Sequence, residues 1–278
     1  MAAQAPPLVD SHAHVFHRGM PFVRDAWTVP DYDFRAEDLI ATLDAHGVRF
    51  AVISGLSISG AWNEDTLEAL RAHYRLRGTA ILAPGTPRAE LERLDSGGIV
   101  GLRLQLARIE PLPDFRGEAY HELFRHARDL GWHVHVSLEG PRLRPVLAAL
   151  LETGLDLVID HFGHPDPADP LGCDGLSAML DAVDSGRTWI KLSGGFRLAG
   201  TAAWQDPHSD LQTVAQIVAG ELVMKVGGER LLWGSDAPFV GYERRIGYAE
   251  VLRDYRAWVP DAALRERIDR TALELYFA

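Results

Sequence analysis

Eight short apolar runs punctuate the 278-residue chain, at 8–15, 50–56, 78–83, 100–106, 133–138, 155–163, 188–194 and 231–236. Each has the length of a strand, and the stretches between them carry helical periodicity. Within 34–46, Leu39, Ile40 and Leu43 share one helix face, and 63–77, 88–95, 117–130, 143–152, 175–183 and 211–226 read similarly. Gly47, Gly78, Gly131 and Gly154 follow helices or open strands, where left-handed caps fall. Eight strands alternating with helices is the count of an α/β (β/α)8 barrel, and repeated βα units make the strands parallel. An open doubly wound sheet would favour a glycine-rich phosphate turn after its first strand. Asp10 to His14, DSHAH, is no such turn.

No linker, charge block or internal repeat divides the chain, so 1–278 reads as one domain. Two long loops, 17–33 and 165–174, fall after the first and sixth strands. In a barrel both lie at the C-terminal face, where such folds keep their chemistry. Composition sets outer bounds. With 28 Lys+Arg against 39 Asp+Glu the net charge is −11, which disfavours nucleic acid as partner. One cysteine, Cys173, excludes an intrachain disulfide framework and a cysteine zinc cluster. No run approaches a membrane span, and the first residues lack the features of a signal peptide. A cytoplasmic protein with no membrane partner is the expectation, its oligomeric state open.

Alternation along strands exposes the first functional signal. In Gly101–Leu106 the leucines share one face while Arg103 and Gln105 share the other. In 133–138, His133, His135 and Ser137 lie opposite the valines. The apolar face meets helices, so the polar face points into the barrel. Burying an arginine and histidines there costs several kcal/mol unless they are paired or meet a ligand. A purely structural barrel would use Val, Ile and Leu instead.

The second signal is a set of strand-end groups. His12 and His14 are two apart on the first strand, His161 ends the sixth, and Asp236 closes the eighth. Imidazoles bind metals, polarise carbonyls or move protons, and a carboxylate serves as general base. One such histidine is more often hydrogen-bonded filler. Four such groups at strand C-termini argue for a site.

Seven segments then resemble a known family: VDSHAHVF at 9–16, VPDYD at 29–33, GLRLQL at 101–106, GWHVHVSL at 131–138, LVIDHFGHPD at 157–166, WIKLSGGFR at 189–197 and LLWGSDAPF at 231–239. In this order they resemble the amidohydrolase superfamily, in its amidohydrolase-2 branch with 2-pyrone-4,6-dicarboxylate lactonase and related sugar lactonases. The resemblance implies a single distorted (β/α)8 barrel and a hydrolase that opens a small lactone. Its catalytic set would be Asp236, activating water, with His12, His14 and His161 polarising the carbonyl.

Metal-dependent relatives add a ligand on strand four or five. Here that strand ends in Ser137, and His135 is two residues short, about 6.6 Å down the strand. The resemblance therefore implies no metal cofactor. The alternative is one zinc or manganese ion on His12, His14 and Asp236, since two histidines and a carboxylate form a known catalytic set. By resemblance, Arg103 and Arg197 hold substrate carboxylate, Ser57 and Tyr32 supply polar contacts, and Ser137 and His135 flank them. Arg108 is a further candidate whose plainer reading is a solvated loop charge. Lys191 reads as a salt-bridged structural lysine and His164 as a loop residue at the pocket mouth. Two rival functions remain on the same barrel: a metal-dependent amidohydrolase, sugar lactonase or decarboxylase, and a catalytically silent metabolite binder.

Overall fold

β1 (Val9–Ala13) is buried along its whole length, because one face meets the barrel interior and the other the surrounding helices. It heads a parallel sheet whose strands lie in chain order: β2 (Phe50–Ile53), β3 (Leu76–Ala80), β4 (Ile99–Gln105), β5 (His133–Ser137), β6 (Leu157–Ile159), β7 (Thr188–Ser193) and β8 (Leu231–Gly234). The computed structural model describes residues 5–198 and 211–278. Between successive strands run α1 (Ala36–His46), α2 (Glu64–Ala72), α3 (Arg88–Ser96), α4 (Glu118–Asp129), α5 (Leu143–Glu152), α6 (Asp174–Val183) and α7 (Leu211–Val226). Two further helices, α8 (Tyr248–Trp258) and α9 (Ala262–Phe277), follow β8, beyond the segments read from periodicity. The fold is the expected (β/α)8 barrel. Among the described residues no helix is long and apolar enough to cross a membrane.

The seam between first and last strands is not a regular ladder. β8 and β1 meet through one bridge, Ala13 to Ala237, flanked by Asp236 N–H donating to the His12 carbonyl at 2.7 Å. Side chains complete the closure: the buried Asp10 carboxylate accepts from the Ser235 amide and hydroxyl and from the Tyr248 hydroxyl. This stitching brings the ends of β1 and β8 together, and with them His12, His14 and Asp236.

Parallel register fixes the inward polar layers. Gly101, Arg103 and Gln105 of β4 pair with His133, His135 and Ser137 of β5. The outward residues Leu102, Leu104, Val134 and Val136 join the core with Leu123, Phe124 and Leu147 of α4 and α5. At the opposite end α9 closes the barrel floor. Its Ala272 and Tyr276 pack on Val9, Val52, Val158 and Leu232, and its Asp269 accepts from the Leu8 amide at 2.8 Å.

Some boundaries differ from expectation for local reasons. β6 spans only 157–159, because His161, Phe162, Gly163 and His164 all take positive φ and form a single tight turn. A run of left-handed residues cannot continue a ladder. α2 ends at Ala72 and β3 starts at Leu76, where the apolar Leu76 pairs with Ala51.

Candidate active site

A cavity of about 460 Å³ opens at the C-terminal ends of the strands. The residues just past β1 and β8 contribute His14 and Asp236 to its lining, β4 Arg103 and Gln105, and β5 Ser137. The turn after β6 brings His161 and His164, and the turn after β7 brings Arg197. The long loop after β1 supplies an outer wall through Val23, Ala26 and Trp27, facing Ser57, Arg108 and Ile109.

Asp236 is the anionic centre. It is 1% exposed, with backbone φ of 66°. Its Oδ1 lies 3.3 Å from His14 Nε2 and 3.8 Å from His12 Nε2, while Oδ2 accepts from Arg197 Nε. Burial alone would raise this carboxyl; the Arg197 guanidinium, with His161 and His14 beside it, outweighs burial and holds it well below the usual carboxylate range. His14 Nδ1 sits 2.8 Å from the Ser54 carbonyl oxygen and therefore donates. Its Nε2 faces the Asp236 carboxylate oxygen.

The other imidazoles surround this pair. His12 and His161 rings are 4.6 Å apart, and His161 Nδ1 lies 2.9 Å from Ser193 Oγ, which leaves Nε2 toward the site. Burial pushes His12 down to about 3, His164 to about 4, and His161 well below the usual histidine range. All three are neutral near pH 7, able to donate one hydrogen bond and accept another. The turn that carries Arg197 is glycine-dependent. Gly194 takes φ of 59°, and a Cβ there would lie 2.7 Å from His161 Nδ1. A Cβ on Gly195 would lie 2.4 Å from the Trp258 ring. These glycines seat the turn against His161 and α8.

Beneath His12 lies a buried ionic layer. Asp160 is 0% exposed and takes Arg103 Nε on Oδ2 at 3.1 Å, with Lys191 Nζ 3.3 Å from Oδ1. Burial would raise Asp160, but Lys191, His12 and Arg103 hold it well below the carboxylate range. Burial pulls Lys191 down to about 8, with Asp160 opposing.

The expected residues separate into those at the cavity and those elsewhere. His14, His161, Asp236, Ser57, Arg103, Arg197 and Ser137 line it, and His12 stands directly behind. Arg103 faces the cavity as alternation predicts, yet its Nε is on Asp160 and its Nη1 donates to the Gly55 carbonyl at 2.6 Å. His135 does not line the cavity. One layer below Ser137, it contacts Lys191 Nζ at 3.0 Å and the Tyr276 ring. Tyr32 is outside it too, its hydroxyl donating to Glu243 at 2.8 Å. Arg108 is the reverse case: it lines the cavity, its guanidinium 5.3 Å over the Trp27 ring. His164 also lines it, 3.2 Å from Ser137 Oγ. Gln105, Glu139 and Tyr242 complete the walls without having been singled out, although Gln105 shares Arg103's strand face.

His12, His14 and Asp236 also have the makings of a metal site. Their donor atoms lie within 4.8 Å of one another and all three residues are buried. His12 Nε2 has no hydrogen-bond partner among the described residues. Ligand count and type fit one divalent ion with open positions. Strand β5 offers Ser137 at cavity level and no fourth nitrogen, and the Arg197 cation already holds Asp236.

4-Sulfomuconolactone hydrolase of Rhizobium radiobacter is 26% identical over 268 residues, covering 93% of this chain and 86% of that protein. Two solved structures are named for 2-pyrone-4,6-dicarboxylic acid hydrolysis. That from Acinetobacter baumannii, with citric acid bound, has a TM-score of 0.89 at 28% identity and covers 97% of this chain and 99% of its own. That from Pseudomonas putida has a TM-score of 0.87 at 32% identity over 98% of each chain. A model of the amidohydrolase family Amidohydro_2 matches residues 9–277, essentially the whole barrel. This chain belongs to that amidohydrolase family.

Proposed function

We propose that this protein is a metal-independent lactonase that opens the ring ester of a small carboxylated metabolite. The observation that carries the reading is Asp236, set among His12, His14 and His161 in a cavity whose cations are arginines. Its relatives named for lactone hydrolysis support the reaction class.

Asp236 takes a proton from water as the water oxygen attacks the ring carbonyl. The carbonyl oxygen gains charge, and N–H groups of His12 and His161 would meet it, the electrostatic contribution that dominates acyl transfer. The tetrahedral species collapses with cleavage of the ring C–O bond. Asp236 returns its proton to the departing enolate or alkoxide, and the new carboxylic acid ionises to release acid. Arg197, stacked on Phe196 and Tyr242, and Arg108 on Trp27 supply guanidinium groups at two sides of the cavity. Guanidinium matches carboxylate bidentately, which favours an anionic substrate in an acidic protein. The citric acid in the Acinetobacter structure is a ligand of that charge class.

The second reading places zinc or manganese on His12, His14 and Asp236, where it would polarise the carbonyl and generate hydroxide from bound water. A pH-indicator screen of lactones, run on chelator-treated protein with and without added metal, separates the two. Full turnover without metal supports the first reading; activity lost on chelation and restored by zinc overturns it.

A further inference from the structure

We infer that Lys191 is a positioning residue that dictates which nitrogen of His12 carries the hydrogen, so that Nε2–H faces the cavity as a donor. The inference rests on the metal-free reading above and names the device that makes it work.

His12 is neutral, so one of its two nitrogens bears the hydrogen. Nδ1 has two neighbours at 3.4 Å, Lys191 Nζ and Asp160 Oδ1. The lysine contact has hydrogen-bond geometry, while the Asp160 contact is an ion-pair approach. Asp160 Oδ1 has no hydrogen-bond partner among the described residues despite its proximity. An ammonium has donors and no acceptor, so Nδ1 accepts and the hydrogen sits on Nε2. That Nε2–H is itself unpartnered and fully buried, 3.8 Å from Asp236 Oδ1. An unmet buried donor is costly to keep, and it is kept where an acceptor arrives during the reaction. The acceptor here is the carbonyl oxygen of the bound lactone.

Lys191 is held for this task by two further contacts and by burial. Its Nζ is 3.0 Å from His135 Nδ1, 3.3 Å from Asp160 Oδ1, and the residue is 0% exposed. His135 in turn has Nε2 3.5 Å from the Tyr276 hydroxyl of α9. This gives His135 a place in the site after all, as a support for the lysine. The opposite tautomer is available to His12 by turning its hydrogen to Asp160, and it would leave Nε2 bare as a metal ligand. Lys191 therefore selects donor over ligand, the usual logic by which a partner on one imidazole nitrogen sets the role of the other.

The test reads the tautomer directly. In enzyme labelled with [15N]histidine, with His12 assigned from the His12→Asn spectrum, long-range ¹H–¹⁵N correlation should show Nε2–H in the wild type. Nδ1–H would overturn the inference without any turnover being measured. Lys191→Met, checked for folding by circular dichroism, should move the hydrogen to Nδ1 and lower kcat by about tenfold or more, with KM little changed. Zinc titrated into Lys191→Met should bind more tightly than into wild type, because the bare nitrogen is now presented. Unchanged kcat or an unchanged tautomer in that variant refutes the role. Should Lys191→Met fail to fold, Lys191→Gln replaces it and the wild-type spectrum still decides. Nε2–H in an enzyme whose activity depends on zinc would instead sink the metal-free reading alone.

Discussion

Arg197 Nε donates to Asp236 Oδ2, fastening the turn after β7 to the end of β8. The guanidinium is packed against two rings, 5.0 Å from Phe196 and 4.8 Å from Tyr242, and its Nη1 reaches the Val240 carbonyl at 3.2 Å. One side chain thus orients the proposed base and presents a cation to the cavity. A carboxylate fixed this way is a weak base in the empty site. A substrate carboxylate that competes for the same guanidinium would return basicity to Asp236 when it is needed.

Replacing Asp236 by Asn removes the base but keeps the shape and a hydrogen-bond acceptor. Turnover should fall on the order of 10²–10⁴-fold, the usual worth of a positioned general base, with KM changed by only a few fold. Steady-state kinetics on the best lactone from the screen checks this. Undiminished hydrolysis would remove Asp236 from the mechanism.

Arg197→Met strips the cation from both Asp236 and the substrate. A buried charge pair broken on one side loses roughly 2–5 kcal/mol, on the order of 30- to 4,000-fold in kcat/KM. Part of that loss falls on every lactone, since Asp236 loses its anchor. The excess falls only on carboxylated ones. The ratio of kcat/KM for a carboxylated over a neutral lactone of equal size should therefore drop at least tenfold. Equal losses on both would show that Arg197 serves Asp236 alone.

Arg108 is exposed, so its contact with a substrate anion competes with water and is worth about 1 kcal/mol at most. Arg108→Met should raise KM for a carboxylated lactone about fivefold and leave kcat alone. Trp27→Ala should act in the same direction, because the ring holds the guanidinium over the cavity. A changed kcat with unchanged KM in either variant would contradict a binding role.

The strand alternation at 101–106 and 133–138 was legible because side chains on a strand repeat every two residues, and the pairing of Gln105 with Ser137 and Arg103 with His135 follows from it. Depth was not legible. His135 shares Ser137's face, but only the register and Tyr276 of α9 show that it lies under the cavity floor. Residues 161–163 of the turn read as strand because their apolar neighbours continue the run. The turn's left-handed backbone is held by contacts distant in sequence, among them Ser193 with His161 and the close approach of Gly194. Arg108 looked solvated because its partner, Trp27, comes from a different loop. Asp160 stood in the quoted DHFG motif, yet its importance lies in Lys191 and Arg103, one from each side of the barrel interior.

Stability should fall between pH 7 and pH 5, and His133 offers a clean way to see why. Burial lowers His133 and His12 to about 3 and His164 to about 4, so each stays neutral in the folded protein while its unfolded counterpart, near 6.5, takes up a proton. The unfolded state then binds more protons across this window, and the unfolding free energy rises with pH there. At pH 5 each such histidine accounts for up to about 2 kcal/mol of lost stability. Asp269, raised to about 6 by burial, works the other way by roughly 1 kcal/mol. Asp160 and Asp236, held low, lose their contribution only as pH falls below about 4. His133 has neither ring nitrogen hydrogen-bonded among the described residues; it stacks on His135 and meets Tyr276 edge-to-face at the barrel floor, away from the cavity. His133→Leu therefore removes a titrating group without breaking a hydrogen bond. Its Tm should drop less than the wild type's from pH 7 to pH 5 in thermal melts. An equal drop in both proteins would show that His133 is already charged, or equally neutral, in folded and unfolded chains.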